Sequence, residues 1–233
     1  MSDINEALIL RLKSIERAIE RLKTGEKPDK TGWIPVSDTW TYNAANKINV
    51  PSGAASIYSV GMGFQLTAAS SAIKKGYIIK VENTLLTVAG DALTDPTGHT
   101  FSAISYAPNP GTAIGFPVWF AYTLTPTAQA GTFTTVSAVG SFSMHGKDVN
   151  VNVIITITTN GTAATGIFVP LPVSADSDSS KRQLLYAREF AVNGFMGFGY
   201  ITNSAFAVIR KYDNAYLGGD GYIIGTFGSY RAA

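Results

Sequence analysis

The stretch Val149-Asn150-Val151-Asn152-Val153-Ile154-Ile155-Thr156-Ile157 decides the fold class. Aliphatic side chains stand at every second position, so an extended chain puts Val149, Val151, Val153, Ile155 and Ile157 on one face and Asn150, Asn152 and Thr156 on the other. Ile154 is the one aliphatic residue on the polar side. A strand of this kind lies in an antiparallel sheet with one face on a core and one toward water.

Working outward, the same period of two predicts strands at Thr132 to Val136, Gly140 to Met144, Gly166 to Val169, Leu184 to Ala191, Gly194 to Ile201, Ala205 to Arg210 and Tyr222 to Phe227. With the central stretch these make eight strands, the size of a jelly-roll-like β-sandwich head over residues 116–233. Phe116-Pro117-Val118-Trp119-Phe120-Ala121-Tyr122 opens it as an aromatic cluster expected to be buried. Before it, Gly90 to Gly115 carries Pro96, Pro108 and Pro110, and residues 96–115 read as a linker. Residues 33–95 hold six further short strands, at Trp40–Tyr42, Lys47–Val50, Ser56–Tyr58, Gly63–Thr67, Gly76–Val81 and Thr84–Val88, separated by turns such as Pro51-Ser52-Gly53. They predict a small antiparallel β-barrel.

At the N-terminal end the period changes again. Leu8, Leu12, Ile15, Ile19 and Leu22 recur at spacings of four, three, four and three, the seam of a coiled coil. Arg11 and Glu16 flank that seam, and the run Arg11-Leu12-Lys13-Ser14-Ile15-Glu16 resembles the signature of short three-stranded coiled coils, in which an arginine stem lies over the core and pairs with a glutamate of the next helix. Residues 1–25 therefore predict a trimerisation helix, followed by a linker over 26–32; the competing reading is an amphipathic helix packed on its own chain. The expected assembly is a homotrimer.

Charged residues make up only 15% of the 233 residues and the formal net charge is +2. No basic stripe interleaved with aromatics is present, so nucleic-acid binding is not expected. Without cysteine there are no disulfides or thiolate metal sites. No apolar run approaches a membrane span, and Met1-Ser2-Asp3 does not open a signal peptide, so neither membrane insertion nor classical export is expected.

No catalytic constellation stands out, and a non-enzymatic protein without cofactor or metal is expected. His145, in His145-Gly146-Lys147-Asp148, reads as a hairpin residue, and His99 also as a turn residue. Asp176 and Asp178 alternate as calcium ligands can, but without an acidic closing ligand they read as a solvated loop. Asn160-Gly161-Thr162 is a hairpin signal before it is a glycosylation site. Aromatics recur in Gly197-Phe198-Gly199-Tyr200 and in Tyr212-Asp213-Asn214-Ala215-Tyr216. The second is a turn in which rings stand beside short polar groups, the combination that binds sugars. Tyr212, Asp213, Asn214 and Tyr216 are the candidate saccharide-binding residues.

Gly32-Trp33-Ile34-Pro35-Val36-Ser37-Asp38-Thr39-Trp40-Thr41-Tyr42, Val50-Pro51-Ser52-Gly53-Ala54-Ala55, Thr84-Leu85-Leu86-Thr87-Val88, Gly115 to Thr123 and Gly225 to Tyr230 resemble a module of minor structural and tail-appendage proteins of tailed bacteriophages. The resemblance implies a homotrimeric virion protein, tail-fibre-like, whose N-terminal helix meets other virion proteins and whose β head faces the host. It implies synthesis in the host cytoplasm and location on the particle. Receptor binding to host cell-surface glycan is the leading expectation. A purely structural part, such as a head fibre, capsid decoration or baseplate connector, is the alternative, and a depolymerising enzyme ranks last because no carboxylate pair is evident.

Overall fold

A computed structural model of the chain describes Glu16 and residues 30–117, 119–176, 183–201 and 203–233. The expected coiled-coil seam of Leu8, Arg11, Leu12, Ile15, Ile19 and Leu22 lies outside the described residues; of the trimerisation set only Glu16 is described, helical and exposed. The chain divides into two compact units, Met1–Pro117 and Val118–Ala233, and the described part of each is built on an antiparallel sheet.

In the first unit the strands are β1 (Ile34–Pro35), β2 (Thr41–Ala44), β3 (Lys47–Asn49), β4 (Gly63–Thr67), β5 (Ile73–Val81), β6 (Leu85–Gly90) and β7 (Ser102–Ala107), in the order β1-β7-β4-β5-β6-β3-β2. The sheet curls into a half-barrel. Its last strand returns to the chain ahead of β7, where the Tyr42 amide donates to His99 O (2.8 Å) and the Phe101 amide to Trp40 O (3.0 Å). Curling is driven from within: Trp40, Ile48, Phe64, Leu66, Ile78 and Leu86 are fully buried, and Tyr58 meets Trp40 and Tyr106 edge-on.

Two expectations change here. Ser56–Tyr58 is not a strand, because Ala54–Ser56 forms a 3-10 turn after the left-handed Gly53. Residues 96–115 are not a linker either. They supply β7, which pairs with both β1 and β4, and a 3-10 turn at Pro110–Thr112. Phe116 then closes this unit, with ring centroids 5.1 Å from Tyr77 and 5.7 Å from Trp33. The prolines flank β7 without entering it, while Ile104 and Tyr106 alternate inward.

In the second unit β8 (Phe120–Tyr122), β9 (Thr127–Ala130), β10 (Thr135–His145), β11 (Asp148–Thr159), β12 (Ala164–Pro170), β13 (Leu184–Glu189), β14 (Met196–Ile201), β15 (Phe206–Lys211) and β16 (Tyr222–Arg231) form one sheet, ordered β8-β10-β11-β16-β13-β14-β15-β12-β9. The strands expected to divide between two sheets of a jelly-roll are thus hydrogen-bonded in one. Tyr122, on one edge strand, donates to Pro170 O (3.4 Å), next to the opposite edge, so the sheet is rolled over its buried face. Val149, Val151, Val153, Ile155 and Ile157 all point into that face, as their alternation predicts. Thr135–Val136 of the expected Thr132–Val136 strand and Gly140–Met144 fall in one long β10, with residues 132–134 ahead of it, and the chain turns back through Gly146-Lys147 so that His145 pairs with Asp148. Of the opening aromatic cluster Phe120 is buried, but Trp119 is exposed.

Candidate functional site

The predicted sugar loop lies between β15 and β16, and its groups are largely engaged in holding the turn. The Asp213 carboxylate accepts the Ala215 amide (3.0 Å), and Asn214 adopts the left-handed conformation at φ 66°. Tyr216 is half-buried and donates to Asn160 Oδ1 at 2.6 Å; burial pushes its hydroxyl up to about 12. Tyr212 alone of the four stands free in solvent as a large ring, 74% exposed. Asn160 does not make the expected hairpin, since β11 and β12 are not partners. It serves as a corner post: its amide N–H donates to Asp220 (2.6 Å), its Nδ2 donates to Ala163 O (2.9 Å), and its Oδ1 receives Tyr216.

Other candidate chemistry is equally structural. The His99 imidazole lies 3.9 Å from Asp95, whose carboxylate accepts the Ala69 amide. Asp176 offers its backbone to Arg231 and Gln183, and Asp178 lies outside the described residues. No cluster of three or more His, Asp or Glu side chains is placed to hold a metal among the described residues.

A different surface carries the unspent chemistry. Because Leu185, Ala187 and Glu189 of β13 point inward, Leu184, Tyr186 and Arg188 point out. In β14 the inward positions are Gly197 and Gly199: a Cβ at Gly199 would lie 2.5 Å from Ile209 Cδ1, and one at Gly197 would lie 2.8 Å from Leu217. Those glycines leave Phe198 and Tyr200 on the outer face. The register then builds one row across six strands, Ser141–Asn152–Phe227–Tyr186–Phe198–Arg210. Tyr186 (64% exposed) and Phe227 (54% exposed) stack with centroids 5.8 Å apart and planes at 28°. Phe198 stands on the adjoining strand, tilted against Tyr200. Asn152 is an exposed amide at one end, and Arg210, held by Gln129 at 2.7 Å, marks the other.

One side of this row is fixed by the connection from β13 to β14. Glu189 is fully buried at the end of β13, and its carboxylate accepts the backbone N–H groups of Ala191, Val192, Asn193 and Gly194 at 2.6 to 3.0 Å. Burial opposes its ionisation, but the four donors outweigh that cost and hold the carboxyl at about 2. The loop so pinned carries Phe190, whose ring covers Gly225 and lies 5.7 Å from the Arg188 guanidinium. It also carries Phe195, with Lys211 Nζ 3.9 Å above its ring.

Of these groups only Phe198 and Tyr200 stood out in sequence as an aromatic pair. Tyr186 and Phe227 were obscured because both faces of their strands carry apolar side chains, so alternation alone could not say which pointed out. The usable signal was Gly197-Phe198-Gly199-Tyr200: small residues on one face require large neighbours there, and send the rings to the other. No family model, curated protein or solved structure matches the chain.

Proposed function

We propose that this chain is a bacteriophage virion protein that attaches to host cell-surface saccharide without cleaving it, through the outer face of the second unit. The observation that carries the reading is the in-register row Phe227–Tyr186–Phe198, flanked by Asn152 and Arg210. A contiguous patch of rings open to water marks an interaction surface, and a sugar presents apolar C–H faces to such rings while its hydroxyls need donors and acceptors nearby. Adjacent strands are about 4.8 Å apart, so three neighbouring strands present a surface about 10 Å across for successive sugar rings. A strand-borne row is rigid, which lowers the ordering cost of binding.

In this reading the seam from Leu8 to Leu22 joins three copies and meets the particle, and the rolled sheet is the head. Tyr212, exposed at the β15–β16 turn, is an outlying contact and not the centre of the site.

The test is adsorption to host cells and wall fragments by the Tyr186→Ala/Phe227→Ala double variant. Both side chains point out of the core, so the melting temperature should hold within a few degrees while adsorption falls at least tenfold. Full adsorption by the folded variant would remove this face from the reading. Sedimentation of the wild type with purified particles, without any binding to host surfaces, would favour a structural component instead.

A further inference from the structure

The charges around the aromatic row are unequal in sign, and this selects among saccharides. The row itself, the neighbouring row Val139–Ile154–Gly225–Arg188–Met196 on one side and the outward residues Asn150 and Tyr200 on the other include no carboxylate. The exposed Arg188 sits in register between Gly225 and Met196, two residues along the strand from the Tyr186–Phe227 stack and on the same face. Its guanidinium has no carboxylate partner among the described residues, and its recorded neighbour is the face of Phe190. A guanidinium over a ring face within cation–π range still has planar N–H groups to offer a bidentate oxyanion. Phe190 is in turn fixed from below. Its ring occupies the space over Gly225, its amide donates to Ile223 O at 2.8 Å, and Glu189 clamps the residues that follow. The one carboxylate on this face of β11, Asp148, lies at the far end of the strand, paired in register with Arg231.

Resting on the saccharide-attachment reading, we infer that the ligand is an anionic glycan: its sugar rings lie on Phe227, Tyr186 and Phe198, and a carboxylate or phosphate of the polymer is held by Arg188. A neutral sugar would leave the guanidinium without a counter-charge. An anion on the polymer offsets its desolvation and gives the interaction a direction along the strand. A uronic acid and a phosphodiester-linked wall polymer share this chemistry.

The experiment uses the full chain on an array of purified bacterial surface polysaccharides comprising neutral, uronic-acid and phosphate-bearing members. Wild type should bind acidic members and lose affinity as salt rises from 50 to about 500 mM, since paired surface charges are screened over that range. Arg188→Gln should lose tenfold or more on the same members while keeping its melting temperature, and Arg188→Lys should recover part of the loss. The uronic-acid and phosphate arms tell the two sources of the anion apart. Binding confined to neutral members, or equal binding by Arg188→Gln, overturns the anionic assignment and leaves saccharide attachment standing. No binding to any member, together with unchanged host adsorption by Tyr186→Ala/Phe227→Ala, overturns both. Dissociation of oligomers in either variant would assign the face to a second copy of the chain and overturn the inference.

Discussion

Replacing Glu189 by glutamine leaves one carbonyl oxygen where two carboxylate oxygens served five backbone donors, the four of the loop and the Ile223 amide, and turns an amide NH2 toward N–H groups. The depression of the carboxyl from 4.5 to about 2 corresponds to at most about 3 kcal/mol of stabilisation by the ionised form. The sign follows from which state holds the proton more tightly. The unfolded chain protonates Glu189 first as pH falls, so this contribution is complete above 4.5 and is lost progressively toward 2. Urea unfolding at pH 7, 4 and 3 should show Glu189→Gln less stable at pH 7, with the gap to wild type narrowing in acid. Parallel profiles would mean the loop is held by something else. Little of this was legible in sequence. Glu189-Phe190-Ala191-Val192-Asn193-Gly194 shows a turn at Asn193-Gly194, but a buried acid satisfied entirely by backbone has no partner residue whose spacing could announce it.

At the scale of elements, Gly76 and Gly90 face each other across β5 and β6, and their lack of side chains sets how closely the strands approach. A Cβ on Gly90, at φ +150°, would lie 2.4 Å from Gly76 Cα and 2.5 Å from Lys75 O, both backbone atoms that cannot rotate away. Gly90→Ala should therefore destabilise the first unit by about 2 kcal/mol or more, read as a shift in its urea midpoint. A shift below the usual surface range would show that the strands part easily there. Elements with near-strict alternation, such as β4 and β11, could be read from sequence because a period of two has no helical counterpart. β8, β9 and β7 were missed for a common reason. They are three to six residues long and lie near prolines, so local chemistry says turn while pairing to a neighbour says strand. The single rolled sheet was likewise beyond alternation, which identifies an inward face without saying which strands bond to which.

At the scale of the whole molecule, the proposed trimer and the proposed glycan face make a joint prediction about avidity. A single face of stacked rings and one guanidinium, open to water, is the geometry of a weak site. Three faces carried by one assembly can engage a repeating polymer together, and linked sites of this kind gain a factor of about 10² to 10⁴ without any new contact. The gain is lost with the linkage, not with the site. Changing both Leu12 and Ile15 to aspartate puts several charges into the proposed seam, each costing several kcal/mol to bury, and no trimer of that helix should survive. The two β units have their own cores, so the melting of the variant should stay close to that of the wild type in the second unit. Sedimentation velocity should give a trimer for the wild type and a monomer for the variant. Affinity for a short soluble oligosaccharide, measured by calorimetry, should be the same in both, whereas adsorption to whole cells should fall by two orders of magnitude or more. A monomeric variant that adsorbs as well as the wild type would mean each face binds tightly alone, and a wild type that sediments as a monomer would remove the seam's role in assembly.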